Sequence, residues 1–467
     1  MKFTLSWLRD HLETTADIDR ISEMLTATGL EVEEVYDPGK IYASFTAAYV
    51  TSVEAHPNAD KLQVCHVDTG DGDPVQVICG APNARTGMTG IFAAPGTYIP
   101  GSDMTLQKGK IRGVESAGML VSEYEMGLSD DHEGIIEVEG SVALGTPLAD
   151  IYGLNEPVIE IALTPNRGDC AGVRGIARDL VAAGLGTLKN MPHKTGIINE
   201  GKSPVDVQLV FDDESSDACP LFVGYYVRGA HNGESPQWLQ ERLKAIGLRP
   251  ISALVDITNY INFDLCRPLH VYDADKLTGN IHVRLAKEGE TLQALDEFEY
   301  RLGGRDIAIC DDSGVIGIGG IIGGESTAVD ETTENVFVEC AYFDPGRIAR
   351  TGRDLQIMSD ARYRFERGVD PGFTPEAAAI ATNLIIELCG GTASQPVQAG
   401  NPPDIRHTID YKPDHCRRLS ALEIDADQQA QILEALGFNV DRENADNWRV
   451  TTPPWRHDIG GAADLVE

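Results

Sequence analysis

The spacing of apolar residues changes several times along the chain, and each change marks a different kind of element. Trp7-Leu8 with Leu12, then Ile18, Ile21 and Leu25, recur every three to four positions, which predicts helices on one buried stripe. Gly29 stands where the second helix should stop. From Ala47 to Val138 the pattern becomes alternating, as in Leu62-Gln-Val-Cys-His-Val67 and Val75-Gln-Val-Ile78, with Gly- and Asp-rich turns between the runs. Short strands at this spacing predict a small barrel. Thr164-Pro165-Asn166-Arg167-Gly168-Asp169 is turn chemistry leading into a helix, and Asn166, Arg167 and Asp169 read as structural. A linker around Pro192–Pro204 follows. Farther on, the short apolar run Ile251–Ile257 reads as a strand that ends at the polar pair Thr258-Asn259. After Pro396 and Pro402-Pro403, the sequence predicts a helix from Asp427 to Leu436 stopped by Gly437, then a strand before Pro453.

With 467 residues, this pattern is too long for one core, and about three domains are expected. The chain has no run of ~20 apolar residues, and Arg9-Asp10 interrupt the N-terminal stretch before a signal-peptide core could form. Nine cysteines occur singly with no Cys-x-x-Cys pair, so neither a zinc ribbon nor a disulfide framework is indicated, and a reduced, cytoplasmic protein is expected. A formal net charge of −35 excludes nucleic-acid binding through bulk electrostatics. Any RNA contact must use a local basic patch or a partner chain.

Four places carry candidate chemistry. Arg249, Asn259, Pro268 and His270 lie within one short stretch, where a fixed cation, an amide and a titratable ring suit a pocket for a polar ligand; by residue type alone, a capped strand end with a satisfied histidine is favoured about two to one. Gly317-Ile-Gly319-Gly320-Ile-Ile-Gly323-Gly324 fails as a dinucleotide fingerprint, because Ile322 stands at the last glycine position, and no Gly-Lys-Ser/Thr follows for a phosphate loop. Backbone approaching a ligand closely is the better reading there. Glu339 interrupts an apolar strand, where a carboxylate requires a partner, and Arg362, Arg364 and Arg367 are candidates to supply it or to face RNA, the structural role being favoured. Lys108, Lys110 and Arg112 alternate, which would place three cations on one strand face. Near the end, Asp458, Asp464 and Glu467 are a candidate Mg²⁺ set, with Asp464 and Glu467 on one face of a starting helix; the bland alternative is an acidic first turn favouring the helix dipole.

The longer motifs carry a family resemblance. Arg249-Pro-Ile-Ser…Val255-Asp-Ile-Thr-Asn-Tyr260…Arg267-Pro-Leu-His-Val-Tyr-Asp273 resembles the editing domain of bacterial phenylalanine–tRNA ligase beta subunits. His56-Pro-Asn-Ala-Asp-Lys-Leu62, Cys79-Gly-Ala-Pro-Asn83 and Lys110-Ile-Arg-Gly-Val-Glu-Ser116 resemble a tRNA-binding barrel of the oligonucleotide-binding type. Trp455-Arg-His-Asp-Ile459…Asp464-Leu-Val-Glu467 resembles the family motif Trp-Arg-x-Asp-Ile…Asp-Leu-Val-Glu-Glu, short of its second Glu, and the chain is read as a fragment that ends inside it.

The resemblance implies an α+β multidomain protein: an N-terminal domain of residues 1–39 plus 152–190, an oligonucleotide-binding-type barrel inserted at 40–151, a mixed α/β editing domain at 205–395, and a small α+β domain of the B5 type at 400–467. It implies a ligase using ATP, phenylalanine and tRNA-Phe, with the aminoacylation site on an alpha subunit, two alpha and two beta chains per complex, and no ATP site in this chain. Its own chemistry would be hydrolysis of Tyr-tRNA-Phe. Glu339 would accept the tyrosine hydroxyl, while Gly320, Gly323 and Ala361 leave room for the ring. Ser359 stands where the family commonly has threonine. His270 and Asn259 would position water or the ester, and Arg249 would contact the RNA end. Asp458, Asp464 and Glu467 would bind Mg²⁺ near the alpha subunit. The competing readings are a non-catalytic scaffold for tRNA and the alpha subunit with a silent pocket, and a free-standing RNA-binding protein, which the acidic balance and the C-terminal carboxylates disfavour.

Overall fold

The computed structural model describes residues 1–129, 134–193, 196–197 and 199–467. The chain forms two compact units: Met1–Glu34 with Ile159–Glu467, and Val35–Val158.

In the first unit, Thr4 starts the helix Leu5–His11 by accepting the Trp7 amide at 3.1 Å, and Asp17 caps the helix Ile18–Ala27 in the same way through Arg20. Gly29, at φ +84°, then reverses the chain. Re-entering this unit at Ile159, the chain hydrogen-bonds from Ile161 to the Met1 carbonyl and from Ala162 to the Glu31 carbonyl. The helix Val173–Ala182 packs on Leu5–His11. Ahead of it, the Arg167 guanidinium clamps Asp169 and Asp179, so Arg167 and Asp169 are structural as the turn chemistry suggests.

Two sheets form the centre of this unit. One has the order His270–Asp273, Asn335–Tyr342, Leu221–Arg228, Thr392–Ala393, with Val397–Gly400 also pairing Leu221–Arg228. The other runs Val207–Val210, Ile281–Leu285, Ile307–Asp311, Gly314–Ile318, Ile322–Gly323. The helix Thr374–Cys389 covers the first sheet on the face of Cys340, whose thiol donates to the Thr374 carbonyl. The opposite face, that of Glu339, is left to the site described below.

The predicted strand end at 251–259 is a helix, Ala253–Leu265. Asp256 secures its start, accepting from the Ile251 amide at 2.9 Å and from the Ser235 hydroxyl. Leu254, Ile257 and Ile261 share one face, while Asn262 and Phe263 on other sides are buried too, so the helix is buried nearly all round and shows no clean amphipathic stripe. A short apolar run of that kind reads equally as strand or buried helix.

Toward the C-terminus the strands Thr408–Tyr411, Trp448–Thr451 and Asn439–Asp441 form a sheet beside the helix Ala426–Ala435, which Gly437 terminates at φ +94°. This segment docks on the rest of its unit: Trp455 lies under Arg178 at 4.3 Å, and His457 occupies the space a Cβ on Gly368 would fill. Residues 461–466 make turns rather than the expected helix, with Glu467 donating to the Ala463 carbonyl.

The second unit is built on a five-stranded antiparallel sheet in the order Met119–Leu120, Thr89–Ala93, Phe45–Ala55, Gln63–Asp68, Val75–Cys79. Its ends approach each other, with the Ala117 amide on the Gln76 carbonyl at 2.9 Å, so the sheet is nearly closed. A hairpin, Gly109–Ile111 with Val114–Ser116, projects from it. The hairpin's two-residue turn is Arg112-Gly113, both with positive φ, the geometry that matches strand twist. His56 contacts the Ile111 carbonyl at 3.1 Å, and Asn58 donates to the Arg112 carbonyl at 2.9 Å. The His56–Leu62 motif therefore fastens the hairpin.

This corrects the basic-strand expectation. Only Lys110 lies in the strand, Arg112 is in the turn, and Lys108 precedes the strand and is paired to Glu115 at 2.6 Å. All three are exposed, but they do not alternate along one face.

Candidate functional site

A cavity of about 450 Å³ opens on the Glu339 face of the first sheet. The register of two strands builds its floor. His270 pairs directly with Glu339 and Tyr272 with Phe337, in antiparallel alignment. Residues paired across the ladder share a face, and so do residues two apart, so His270, Tyr272 and Glu339 project together.

The helix Ala253–Leu265 presents Thr258, Asn259 and Asn262 from one side, and Pro268 follows it. Gly317, Gly320 and Gly323 line the wall formed by the glycine-rich hairpin. Ser359 and Ala361 come from the start of the helix Asp360–Phe365, which Ser359 caps through the Arg362 amide at 3.1 Å. The Ser359 hydroxyl also donates to the Ile321 carbonyl at 2.7 Å, tying the helix to the hairpin.

The glycines have a different reason from the one the sequence suggests. A Cβ on Gly323 would lie 2.4 Å from Cε1 of His270, so this glycine admits the histidine ring. Gly320 has φ +67°, and its Cβ would press on Ile348, Phe343 and Phe365 at 3.0 to 3.1 Å. Both line the cavity, but it is protein atoms that require them to be bare.

Electrostatically the floor is unusual. Glu339 is 5% exposed and has no cation beside it among the described residues; its Oε2 accepts the Tyr272 hydroxyl. Burial pushes its pKa up to about 7, with the Tyr272 bond acting the other way. The ring of His270 meets that of Tyr272 edge-on at 4.4 Å, and its Nε2 is shielded from solvent without a hydrogen-bond partner among the described residues. Burial pushes His270 down to about 4, so the ring is neutral at neutral pH. The site thus offers a neutral imidazole and a carboxyl poised between its two protonation states.

None of the three arginines bridges Glu339. Arg362 binds Glu366 and the Gly352 and Ile357 carbonyls, Arg364 binds Asp360 and the Ala171 carbonyl, and Arg367 stacks on Tyr363 at 3.7 Å. They are structural, and the expected salt bridge is replaced by a phenol. Arg249 is exposed and is not among the residues lining the cavity, whereas Asn259, Pro268, His270, Gly320, Gly323, Glu339, Ser359 and Ala361 all are. The sequence reading missed Tyr272, although its position two residues after His270 on a strand was a usable signal, and Asn262, hidden by the mistaken strand.

The carboxylates proposed for Mg²⁺ do not converge. Arg456 holds Asp458 through both oxygens at 2.8 Å. Asp464 accepts the Gly460 and Gly461 amides on one oxygen. Among the described residues, only Asp169, Cys170 and Asp179 bring three ligand atoms within 4.8 Å of one another, and there the cation is Arg167. As placed, Asp458, Asp464 and Glu467 do not fit a magnesium site.

Comparisons with known proteins decide the relationship. Residues 45–147 match a family described as a tRNA binding domain, 218–390 the B3/4 domain, and 409–467 the tRNA synthetase B5 domain. The chain is 53% identical over 468 aligned positions to the phenylalanine–tRNA ligase beta subunit of Brucella suis, and 51% identical to that of Paramagnetospirillum magneticum, with all of this chain aligned in both cases. The chain belongs to the phenylalanine–tRNA ligase beta-subunit family. It spans 58% of the length of those relatives. An N-terminal fragment of the phenylalanyl-tRNA synthetase beta-subunit from Pyrococcus horikoshii is 19% identical, with 67% of this chain and 86% of that one covered at a TM-score of 0.33; so slight a likeness carries no argument. Within this family frame, the cavity falls inside the B3/4 match. No helix among the described residues is long and apolar enough to cross a membrane.

Proposed function

We propose that this chain is the proofreading part of a phenylalanine–tRNA ligase, and that the cavity hydrolyses tyrosine wrongly esterified to tRNA-Phe. The observation that carries the reading is the pairing of His270 with Glu339 on one strand ladder, facing a cavity that falls inside the B3/4 match. A pocket built for phenylalanine rejects tyrosine only partly, whereas a second site that bonds the extra hydroxyl selects for it. Glu339 is the acceptor for that hydroxyl. His270, which lines the cavity and is neutral at neutral pH, orients the attacking water; as that water adds to the ester carbonyl and the bond to the ribose oxygen breaks, its proton passes to the ribose oxygen, and Asn259 holds water or ester from the neighbouring helix. A histidine with pKa about 4 is a weak base, so the gain comes chiefly from orientation. Ester cleavage suits that economy of means.

In this reading aminoacylation with ATP belongs to the alpha subunit, in a complex of two alpha and two beta chains. The nearly closed sheet of the second unit is an oligonucleotide-binding-type barrel, inserted into the N-terminal domain, that contacts tRNA. Arg249, exposed outside the cavity, is left to meet the RNA end. No step uses a metal.

The test is deacylation of Tyr-tRNA-Phe by the full-length beta subunit in its alpha–beta complex, beside His270→Ala and Glu339→Ala. Hydrolysis by the wild type that both substitutions abolish supports proofreading here. A folded wild-type complex that leaves the ester intact supports the scaffold reading instead.

A further inference from the structure

The Glu339 side chain makes one hydrogen bond among the described residues, and its geometry has a consequence for selectivity. Oε2 is taken by the Tyr272 hydroxyl, while Oε1 carries no such bond and belongs to a residue lining the cavity. Tyr272 is itself 1% exposed, so its phenol has no water to fall back on and must keep the carboxylate as its acceptor. A carboxylate has two oxygens and can serve two phenols at once, one on each. The same tyrosine meets His270 edge-on, and Gly323 is close enough that a Cβ there would lie 2.4 Å from Cε1 of the same ring. A ring with neighbours this close is restricted in how it can turn. One buried residue therefore touches both groups that the reaction needs, and neither of its contacts involves substrate.

We propose that Tyr272 is the positioning residue for tyrosine selectivity: its hydroxyl fixes one oxygen of Glu339 so that the other is offered to the phenol of a tyrosyl ester, while its ring sets the plane of His270. The inference rests on the proofreading reading of this cavity. It divides the two contacts between two parts of the side chain. The hydroxyl acts on recognition alone. The ring acts on hydrolysis of any ester that enters.

Substitutions separate these roles. Tyr272→Phe removes the hydroxyl and keeps the ring against His270, whereas Tyr272→Leu removes both. The measurement is the rate of deacylation of Tyr-tRNA-Phe and of Phe-tRNA-Phe by the full-length alpha–beta complex, with kcat and KM resolved for each ester. Tyr272→Phe is expected to lower the tyrosine-over-phenylalanine ratio at least about tenfold, mostly through KM for the tyrosyl ester, as for removal of a hydrogen bond to a charged group. Hydrolysis of the phenylalanyl ester should fall far less than that of the tyrosyl ester. Tyr272→Leu should lower kcat for both esters. In a Glu339→Gln background, Tyr272→Phe should leave the ratio where Glu339→Gln alone puts it, since the group it positions is gone.

A wild-type ratio in Tyr272→Phe overturns the inference while leaving proofreading intact. So does an equal loss on both esters in a variant whose melting temperature matches the wild type. If the wild-type complex hydrolyses neither ester, the underlying reading fails first, and this one with it.

Discussion

His11 and Asp264 lie 2.6 Å apart, both fully buried and separated by 253 residues of sequence. The same carboxylate accepts Trp7 Nε1 at 2.6 Å and His193 Nε2 at 2.7 Å. Asp264 belongs to the helix that turns Asn259 and Asn262 toward the cavity, so the site is braced from the first helix of the chain. Burial opposes ionisation of this carboxyl, yet hydrogen bonds from the two histidines hold its pKa below the ordinary value.

Asp264→Ala should therefore be costly. It strands Trp7 Nε1 and the His11 ring in a closed space and takes the partner of the partly buried His193, and breaking a buried polar cluster of this kind typically costs about 3–5 kcal/mol. Denaturant titration of the purified chain measures it. A loss below about 1 kcal/mol would show that the cluster contributes little to the fold.

Gly323→Ala tests the space under His270. Its Cβ would come within 2.4 Å of the ring, so the ring must move, and the cavity that His270 lines is open to it. Deacylation of Tyr-tRNA-Phe should fall at least about tenfold, because misplacing a reacting group by a fraction of an ångström already costs rate. The melting temperature should change little. Gly320→Ala is the contrast: at φ +67° it strains the backbone and presses three apolar side chains, so it should lower stability by about 1 kcal/mol or more.

These two glycines also show what the sequence could and could not reveal. That the stretch Gly317–Gly324 lined a cavity was legible, because the fingerprint alternative fails on spacing and glycine has few other uses at such density. What the bare backbone makes room for was not legible, since it depends on His270, 53 positions away in sequence and adjacent only through the folded sheets. Alternating runs gave the strands Gln63–Asp68 and Val75–Cys79, and Gly29 and Gly437 marked helix ends. The helix Ala253–Leu265 was hidden because burial on several sides erased its period. Glu339 was recognised as a buried carboxylate in need of a partner. The partner was mistaken, because nearby arginines are a stronger expectation than a tyrosine on the next strand, and pairing register is invisible to local pattern.

The hairpin at Arg112 offers a test of tRNA contact. Lys108 is already engaged by Glu115, whereas Lys110, opposite Glu115 across the ladder, and Arg112 at the tip are exposed with no ion pair among the described residues, and Arg112 is the cation farthest out on the turn. Arg112→Gly removes the charge and keeps a residue suited to positive φ, so the turn survives. Affinity of the full-length complex for tRNA-Phe should drop, and the slope of log K against log salt should decrease by about 1, as when one phosphate is no longer neutralised. Lys108→Ala should leave the slope nearly unchanged. Filter binding across a salt series distinguishes the two, and identical effects from both would place the RNA interface elsewhere.

The cavity floor should also leave a mark on the pH dependence of stability. Glu339 is raised by burial from an ordinary 4.5 to about 7, with the Tyr272 bond opposing. Its protonated form thus contributes stability that is complete below 4.5 and lost as pH rises through about 7. His270 goes the other way. Lowered by burial from 6.5 to about 4, it contributes stability that is present above 6.5 and lost as pH falls through about 4. Between about 4.5 and 6.5 the folded protein holds a proton on Glu339 that the unfolded chain releases, and lacks one on His270 that the unfolded chain binds, so the two slopes cancel. Removing one group exposes the other. In His270→Ala, stability should decline as pH rises from about 4.5 to 7, by roughly 3 kcal/mol in total. In Glu339→Gln, stability should instead decline as pH falls from 6.5 toward 4. Denaturant midpoints of the wild type and both variants at pH 5, 6, 7 and 8 on the buffer scale, about one unit apart, read the slopes directly. Parallel curves for the two variants would show that neither group titrates as its burial requires.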